Sequence, residues 1–226
     1  RNPLTQRMGY VQPTQGYINF RWLRSVAGKR VEGAWFDHIE CTAQNFVDQA
    51  YQSVLAGAQE ITLFHLGDIV QGHPGHELFV TALPELVDLA AKVATRTPRG
   101  ISYYQPPGSD AEENFFLIDY LGMLALPLVP EARYPLMSTA AILGVQAAAD
   151  ANLLGKVRQH LKRGATIVFT PALIRKLGSE AEKLAGVKVS PQPQPSVVSG
   201  IDIDLGISVT TARILAGTSF PLLTQM

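Results

Sequence analysis

Cysteine occurs once in the 226 residues, at Cys41. One thiol allows no intramolecular disulfide and no cysteine-rich zinc site, and it suits a reducing compartment. Net charge is also lacking: Lys and Arg total 19 and so do Asp and Glu. That balance argues against nucleic-acid or anionic-membrane partners, which select basic surfaces. Long apolar runs are missing too. The longest, "LGMLALPLV" at 121–129, is too short to span a bilayer and carries Pro127. There is no signal-peptide pattern and no glycine-rich phosphate fingerprint such as GxGxxG or GxxxxGK[ST]. What remains, 46% hydrophobic and 17% charged residues, is the composition of a globular chain of one large domain or two small ones.

Elements alternate along the first hundred residues. "GYVQP" (9–13) reads as a short strand. Residues 15–27 place Tyr17, Ile18, Phe20, Trp22, Leu23 and Val26 near helical spacing, with Gly28 as the stop. Residues 31–39 read as a buried strand. Thr42 is an N-cap for a helix over 43–56, whose stripe is Phe46, Val47, Ala50, Tyr51, Val54 and Leu55, with Gly57 ending it. "EITLFHLGDI" (60–69) is the next strand and 76–94 a helix containing Pro84, where a kink is expected. Alternation of this kind predicts parallel strands with crossover helices, so 31–39 and 60–66 should be parallel neighbours.

The stretch "EGAWFDHIECT" (32–42) is an apolar strand that finishes in Asp37, His38, Glu40 and Cys41. A second polar cluster, 65–76, follows the next strand. Both fall at the carboxyl ends of strands, the edge on which parallel α/β sheets carry their sites. Strand alternation groups Trp35, Asp37 and Ile39 on one face, and Ala34, Phe36 and His38 on the other. Trp35 is then an aromatic platform suited to a sugar ring, beside Asp37. Glu40, close before Thr42, also fits an ordinary acid at a helix N-terminus. His65 and Asp68 end their strand at the same edge. "GHPGH" (72–76) offers two imidazoles, but no third ligand is evident, so a loop turn with His76 as cap is expected and no metal. Cys41 reads as a small buried residue, and Arg21 and Trp22 as packing groups.

"RTPRGISYYQPPGSD" (96–110) is a boundary. Strands follow at 100–105, 123–130, 138–147 and 165–170, with helices over 111–122, 151–163 (capped by Asp150, with Leu153, Leu154, Val157 and Leu161 on one face) and 171–184 (Thr170 cap, Pro171 at its first position). Residues 189–198 read as irregular and 199–218 as edge strands.

The run "LAGAQEITLFHLGDIVQGHPGHELF" (55–79) resembles the last strand of the catalytic barrel in the β-galactosidases of glycoside hydrolase family forty-two. There a helix ending in a His-Gly-Ala type triplet leads to an apolar strand and a glycine-rich loop with a His; here the triplet is Ala56-Gly57-Ala58. "YLGMLALPLVP" (120–130), "AAILGVQAAAD" (140–150) and "GATIVFTPAL" (164–173) resemble the same enzymes' second domain, a flavodoxin-like fold related to class I glutamine amidotransferases. "GAWFD" and "LAGA" are similar to stretches of uncharacterised bacterial relatives of those hydrolases. The resemblance implies an α/β chain: residues 1–96 as the last βα units of a (β/α)₈ barrel, and 97–226 as a flavodoxin-like domain, incomplete at its C-terminal end. A closed barrel needs eight strands and typically about 250 residues, and the chain starts on Arg1, so a fragment of a longer protein is expected.

The resemblance also implies a glycosidase whose two carboxylates flank the glycosidic bond, about 5–5.5 Å apart in retaining enzymes. If 31–39 is the seventh strand, Asp37 and Glu40 are the nucleophile candidates, and Trp35, His38, His65, Asp68 and His76 would bind substrate. The family's nucleophile is a Glu with a longer following loop, which this stretch departs from. With no cysteine after Cys41, the second domain cannot carry out cysteine-dependent glutamine hydrolysis. Three functions compete: a glycoside hydrolase acting on galactoside-like carbohydrates and inactive as this chain alone; a non-catalytic carbohydrate-binding or assembly module; and a small-molecule binder of flavodoxin type. The expected partners are a carbohydrate and, through the second domain, further copies of the chain. No cofactor, nucleic acid or membrane is expected. The cytoplasm is the expected location, with the periplasm and the exterior left open.

Overall fold

The protein is described here by a computed structural model, which covers residues 15–38, 42–64, 67, 71–109, 117–123, 126–189, 200–204 and 211–215. The strand expected at 9–13 and the irregular run from 190 lie outside these. The architecture is α/β, and the chain divides into two compact units, Arg1–Arg99 and Gly100–Met226.

The first unit opens with α1 (Gln15–Ala27), which stops at Gly28, whose φ of +62° only glycine adopts freely. Ile18 and Phe20 are buried; Leu23 and Val26, expected on the same stripe, are exposed. Strand β1 (Gly33–Asp37) is shorter than the expected 31–39. It runs parallel to β2 (Glu60–Phe64), from Gly33 opposite Glu60 to Asp37 opposite Phe64. One helix, α2 (Ala43–Leu55), connects them. Its cap is Thr42, whose Oγ1 accepts from the Asn45 N–H at 3.1 Å, and it ends at Gly57 in a left-handed conformation. The Arg24 side chain donates to the Gly57 carbonyl, tying α1 to this turn.

Helix α3 (Pro74–Ala94) packs against α2 and begins two residues before the expected start. Pro84 lies inside it. Proline cannot donate to the carbonyl four residues back, here that of Val80, on a side of the helix where both residues are exposed and water can serve. The core of the unit is Phe36, Phe46, Ala50, Val54 and Leu86, with Ile61, Leu63 and Phe79 packed on it. A smaller cluster of Phe20, Ala34, Ala56 and Ala58 joins α1 to the sheet. The helices cover one face of β1–β2, where Ala34 and Phe36 are buried; on the alternate positions Trp35 and Thr62 are exposed.

The second unit holds a parallel four-stranded sheet. Its strands are β3 (Ile101–Tyr104), β4 (Leu128–Glu131), β5 (Ala140–Leu143) and β6 (Thr166–Phe169), in the order β4-β3-β5-β6. Counted within the sheet this is 2-1-3-4, the order of flavodoxin-type doubly wound folds. Helix α4 (Leu117–Met123) takes in Met123, which sequence patterning gave to the next strand; that strand begins only after Pro127. Helix α5 (Leu153–Lys162) buries Leu153, Val157 and His160, whereas Leu161, expected on the buried face, is 37% exposed.

The single helix expected over 171–184 is two: α6 (Pro171–Leu177), capped by Thr170, and α7 (Ser179–Ala185). Gly178 separates them at φ +73°, where a side chain would be strained. The tail strands β7 (Gly200–Asp204) and β8 (Thr211–Leu215) are not edges of the main sheet: they pair with each other, antiparallel, as a separate two-stranded sheet. Among the described residues no helix is long and apolar enough to cross a membrane.

Gly100 shows how tightly β3 and β4 approach. The Ile101 N–H donates to the Pro127 carbonyl at 2.8 Å, and a Cβ on Gly100 would lie 2.0 Å from that same oxygen. Gly100→Ala must push the two backbones apart. It is expected to cost about 1–3 kcal/mol, readable as a lower urea midpoint, while Gly155→Ala, on an exposed helix position with open space around it, should stabilise slightly.

Candidate functional site

The C-terminal edge of the β1–β2 sheet carries the candidate residues. The register sets the two strand ends level: Asp37, the last residue of β1, lies opposite Phe64, the last of β2. The chain then turns into α2 on one side and towards α3 on the other. Glu40, Cys41, His65 and Asp68 fall outside the described residues.

His38 continues the helix-facing side of β1. Its ring centroid is 4.8 Å from that of His73, 6.0 Å from His76 and 6.4 Å from Phe46. His76 is buried, its ring 5.2 Å from Phe46 and 5.7 Å from His73. Three imidazoles thus gather around one phenylalanine. Sequence spacing linked His73 to His76 but not to His38, thirty-five positions away; only the pairing of the strands brings it in. Trp35, placed with them as a substrate contact, is on the other face of β1 and 69% exposed. The candidates therefore form two groups separated by the strand.

The expected cap is corrected. His73, not His76, caps α3: its Nδ1 accepts from the Gly75 N–H at 3.0 Å. A nitrogen that accepts here leaves the ring proton on Nε2. Pro74 occupies the first helical position, where a missing N–H costs nothing, and His76 falls inside the first turn. Gly75 is required by crowding: a Cβ there would meet both His73 Nδ1 and Phe46 Cδ1 at 2.9 Å. The local signal was the His-Pro-Gly order, a cap followed by a helix-starting proline. Among the described residues no group of three His, Cys, Asp or Glu side chains could hold a metal ion. Imidazole nitrogens can donate and accept hydrogen bonds, so this arrangement suits hydroxyl-bearing molecules at the loop edge.

In the second unit, described polar groups join elements of the fold. Asp150 accepts from Lys156 Nζ at 2.6 Å, from the Tyr104 hydroxyl at 2.9 Å and, through its other oxygen, from the Asn152 N–H at 3.0 Å. Burial alone would raise this carboxyl, but the hydrogen bonds from Lys156, Asn152 and Tyr104 outweigh it and hold it below its ordinary value. The Tyr104 hydroxyl is pushed upward by burial and by Asp150, and burial takes that of Tyr134 to about 12. His160, fully buried, is placed with Nε2 2.6 Å from the Ser138 carbonyl, so it donates there and accepts from the Tyr134 hydroxyl at 3.3 Å on Nδ1.

Because Asp150 titrates lower folded than unfolded, its contribution is complete above the ordinary carboxylate range and is lost as pH falls through the folded value. Asp150→Asn should therefore cost about 1–3 kcal/mol at neutral pH and nothing further on acidification. Urea midpoints taken from pH 7 down to pH 3 for both proteins should converge at the acid end.

Residues 1–78 match the family model described as a probable glycosyl hydrolase, catalytic domain. No curated protein and no solved structure matches the chain. The first unit is thus similar to a glycosyl hydrolase catalytic domain over the stretch that carries β1, β2 and every candidate residue; the rest of the chain lies beyond the match.

Proposed function

We propose that the first unit is the end of the catalytic barrel of a retaining glycoside hydrolase acting on galactoside-like carbohydrates, with Asp37 as the nucleophile, Glu40 as the next candidate and Trp35 as the sugar platform. The observation that supports this most is the place of Asp37: the carboxyl end of a parallel strand, inside the residues that match a glycosyl hydrolase catalytic domain. Substrates of such sheets sit at that end. The helices cover one face of β1–β2 and leave the Trp35 face open, which is how a barrel strand presents its inner face. The second unit is a structural or assembly domain through which copies of the chain associate, and a cytoplasmic location is expected from the lone cysteine.

The chemistry needs a second carboxyl group as proton donor, since the leaving oxygen must be protonated as the nucleophile attacks. We assign it to another strand of the barrel, so the 226-residue chain is inactive alone. The exposed Trp35 also suits a carbohydrate-binding module without chemistry. A 2-fluoro-galactosyl fluoride distinguishes the two, because its leaving group needs no protonation and the glycosyl-enzyme it forms turns over slowly. In a protein extended to a whole barrel, peptide mapping should find the label on Asp37. Label on Glu40 moves the nucleophile, and no label on an enzyme that binds galactose leaves the non-catalytic module.

A further inference from the structure

Helix α3 has two apolar sides. Phe79, Ala82, Leu86 and Leu89 face the core of the first unit. On another side Val80 is 66% exposed, Val87 62% and Leu83 42%, and Pro84, Ala91 and Ala94 are exposed with them. Positions 80, 84, 87, 91 and 94 recur at intervals of four and three, the spacing of a seam on which a second helix packs. No charge interrupts it. Helical periodicity sets Glu85, Asp88 and Lys92 to one side, where Glu85 accepts from the Tyr51 hydroxyl at 2.7 Å and Lys92 pairs with Asp88 at 2.5 Å. A contiguous apolar stripe left in water marks a docking surface.

We propose that this seam takes the same seam of a second copy of the chain, the two helices running antiparallel. Charge selects this occupant first. Before Lys92, α3 carries Glu77, Glu85 and Asp88 and no Lys or Arg; its end carries Lys92, followed by Arg96 and Arg99. With the seams antiparallel and centred on Val87, the Glu77 end of each copy lies beside the Arg96 end of the other, at both ends of the contact. Parallel copies would set Glu77 beside Glu77 and Arg96 beside Arg96, which repel. Size selects it again. The bulky residues Val80, Leu83 and Val87 fill the first part of the seam, and from 91 onward it is alanine. A two-fold axis at Val87 brings Val80 and Leu83 opposite Ala94 and Ala91, so large side chains meet small ones.

Such a contact is isologous and closes at two copies. From 80 to 94 the seam is about 21 Å long at 1.5 Å per residue. At a helix's width it offers well under the about 800 Å² that each partner gives to a standard interface. The pairing is therefore weak, with a dissociation constant of about 0.1–1 mM. It lies wholly in the first unit, apart from any association through the second, and it does not depend on the assignment of Asp37.

The test uses the full 226-residue chain. Sedimentation equilibrium up to millimolar chain should show monomer and dimer. Val80→Glu together with Val87→Glu, both at exposed positions, should leave the urea midpoint in place and raise the dissociation constant at least about tenfold. Association that survives this double change runs through another face and overturns the proposal. A chain that stays monomeric throughout also overturns it, and leaves the seam to a neighbouring helix of a whole barrel. Orientation is read by cross-linking in the Cys41→Ser background. An isotope-labelled chain with Val80→Cys is mixed with an unlabelled chain with Ala94→Cys and treated with a short bis-maleimide. Antiparallel seams give dimers of mixed mass; Val80→Cys chains linked only to each other overturn the arrangement. Arg96→Glu should weaken the pairing several-fold at low salt, and adding Glu77→Arg to the same chain should restore it. Failure of that rescue overturns the antiparallel seam.

Discussion

Aryl galactosides should be left almost unhydrolysed by the 226-residue chain and turned over by a version carrying a whole barrel. In that longer form, Asp37→Asn should lower kcat by at least about a thousandfold with the fold intact. The reasoning is chemical. Double displacement requires a carboxylate to attack the anomeric carbon and an acid to protonate the departing oxygen, and the acid then serves as base for water. Positioned acid–base catalysis alone contributes about 10²–10⁴-fold, so a chain that lacks the donor loses most of its rate even with a perfect nucleophile. Asparagine keeps the size of Asp37 and cannot form the glycosyl-enzyme. Three proteins assayed side by side give the answer: robust turnover by the short chain removes the divided-site argument, and full activity of the long Asp37→Asn form takes the nucleophile out of β1.

Phe46→Ala should be the most damaging single substitution in the first unit, with a loss of about 3–5 kcal/mol. Phe46 is fully buried and stands where four things meet. Its ring lies edge-on to Phe36 of the sheet at 5.3 Å, to Phe79 of α3 at 6.2 Å, and to His73 and His76 at 6.3 and 5.2 Å. Removing it opens a cavity between strand and helices and unseats the histidine cluster together. A typical domain has only about 5–15 kcal/mol to lose, so the variant should show a sharply lower urea midpoint. Phe46→Leu, which keeps most of the volume, should lose about half as much or less. If Phe46→Ala unfolds no more easily than Thr42→Ala, whose lost cap is worth about 1 kcal/mol, the core does not centre on this ring.

Local signals were the legible ones. Thr42 before an apolar stripe, Thr170-Pro171 and the short runs of β1, β2, β3, β5 and β6 each carry their information within a few residues, and each element formed. The parallel pairing of β1 with β2 followed from having one helix between them. What failed needed a neighbour or a fine conformational choice. Gly178-Ser179 sits within a helical pattern, and only the positive φ of Gly178 shows the stop. The apolar run around Met123 does not say where the helix ends and the next strand begins. The His-Pro-Gly-His order alone does not say which imidazole caps the helix; the His73 Nδ1, aimed at the Gly75 N–H, does. The meeting of His38 with His73 and His76 could not be read at all, because it depends on two strands lying side by side in one register. Of the candidate site, the two faces of β1 were legible from strand alternation, with Ala34 and Phe36 buried and Trp35 exposed, and the gathering of the imidazoles was not.

The open face of β1–β2 also supplies an optical gauge. Trp35 stands in water there, while the other tryptophan, Trp22, is half-buried in α1. With Trp22 replaced by Phe, all indole emission comes from Trp35, at the red wavelength of a wetted ring. Any strand laid against that face, or any sugar stacked on it, would shift the emission to the blue. Binding on that face can therefore be followed in real time, in unlabelled protein, by one native ring.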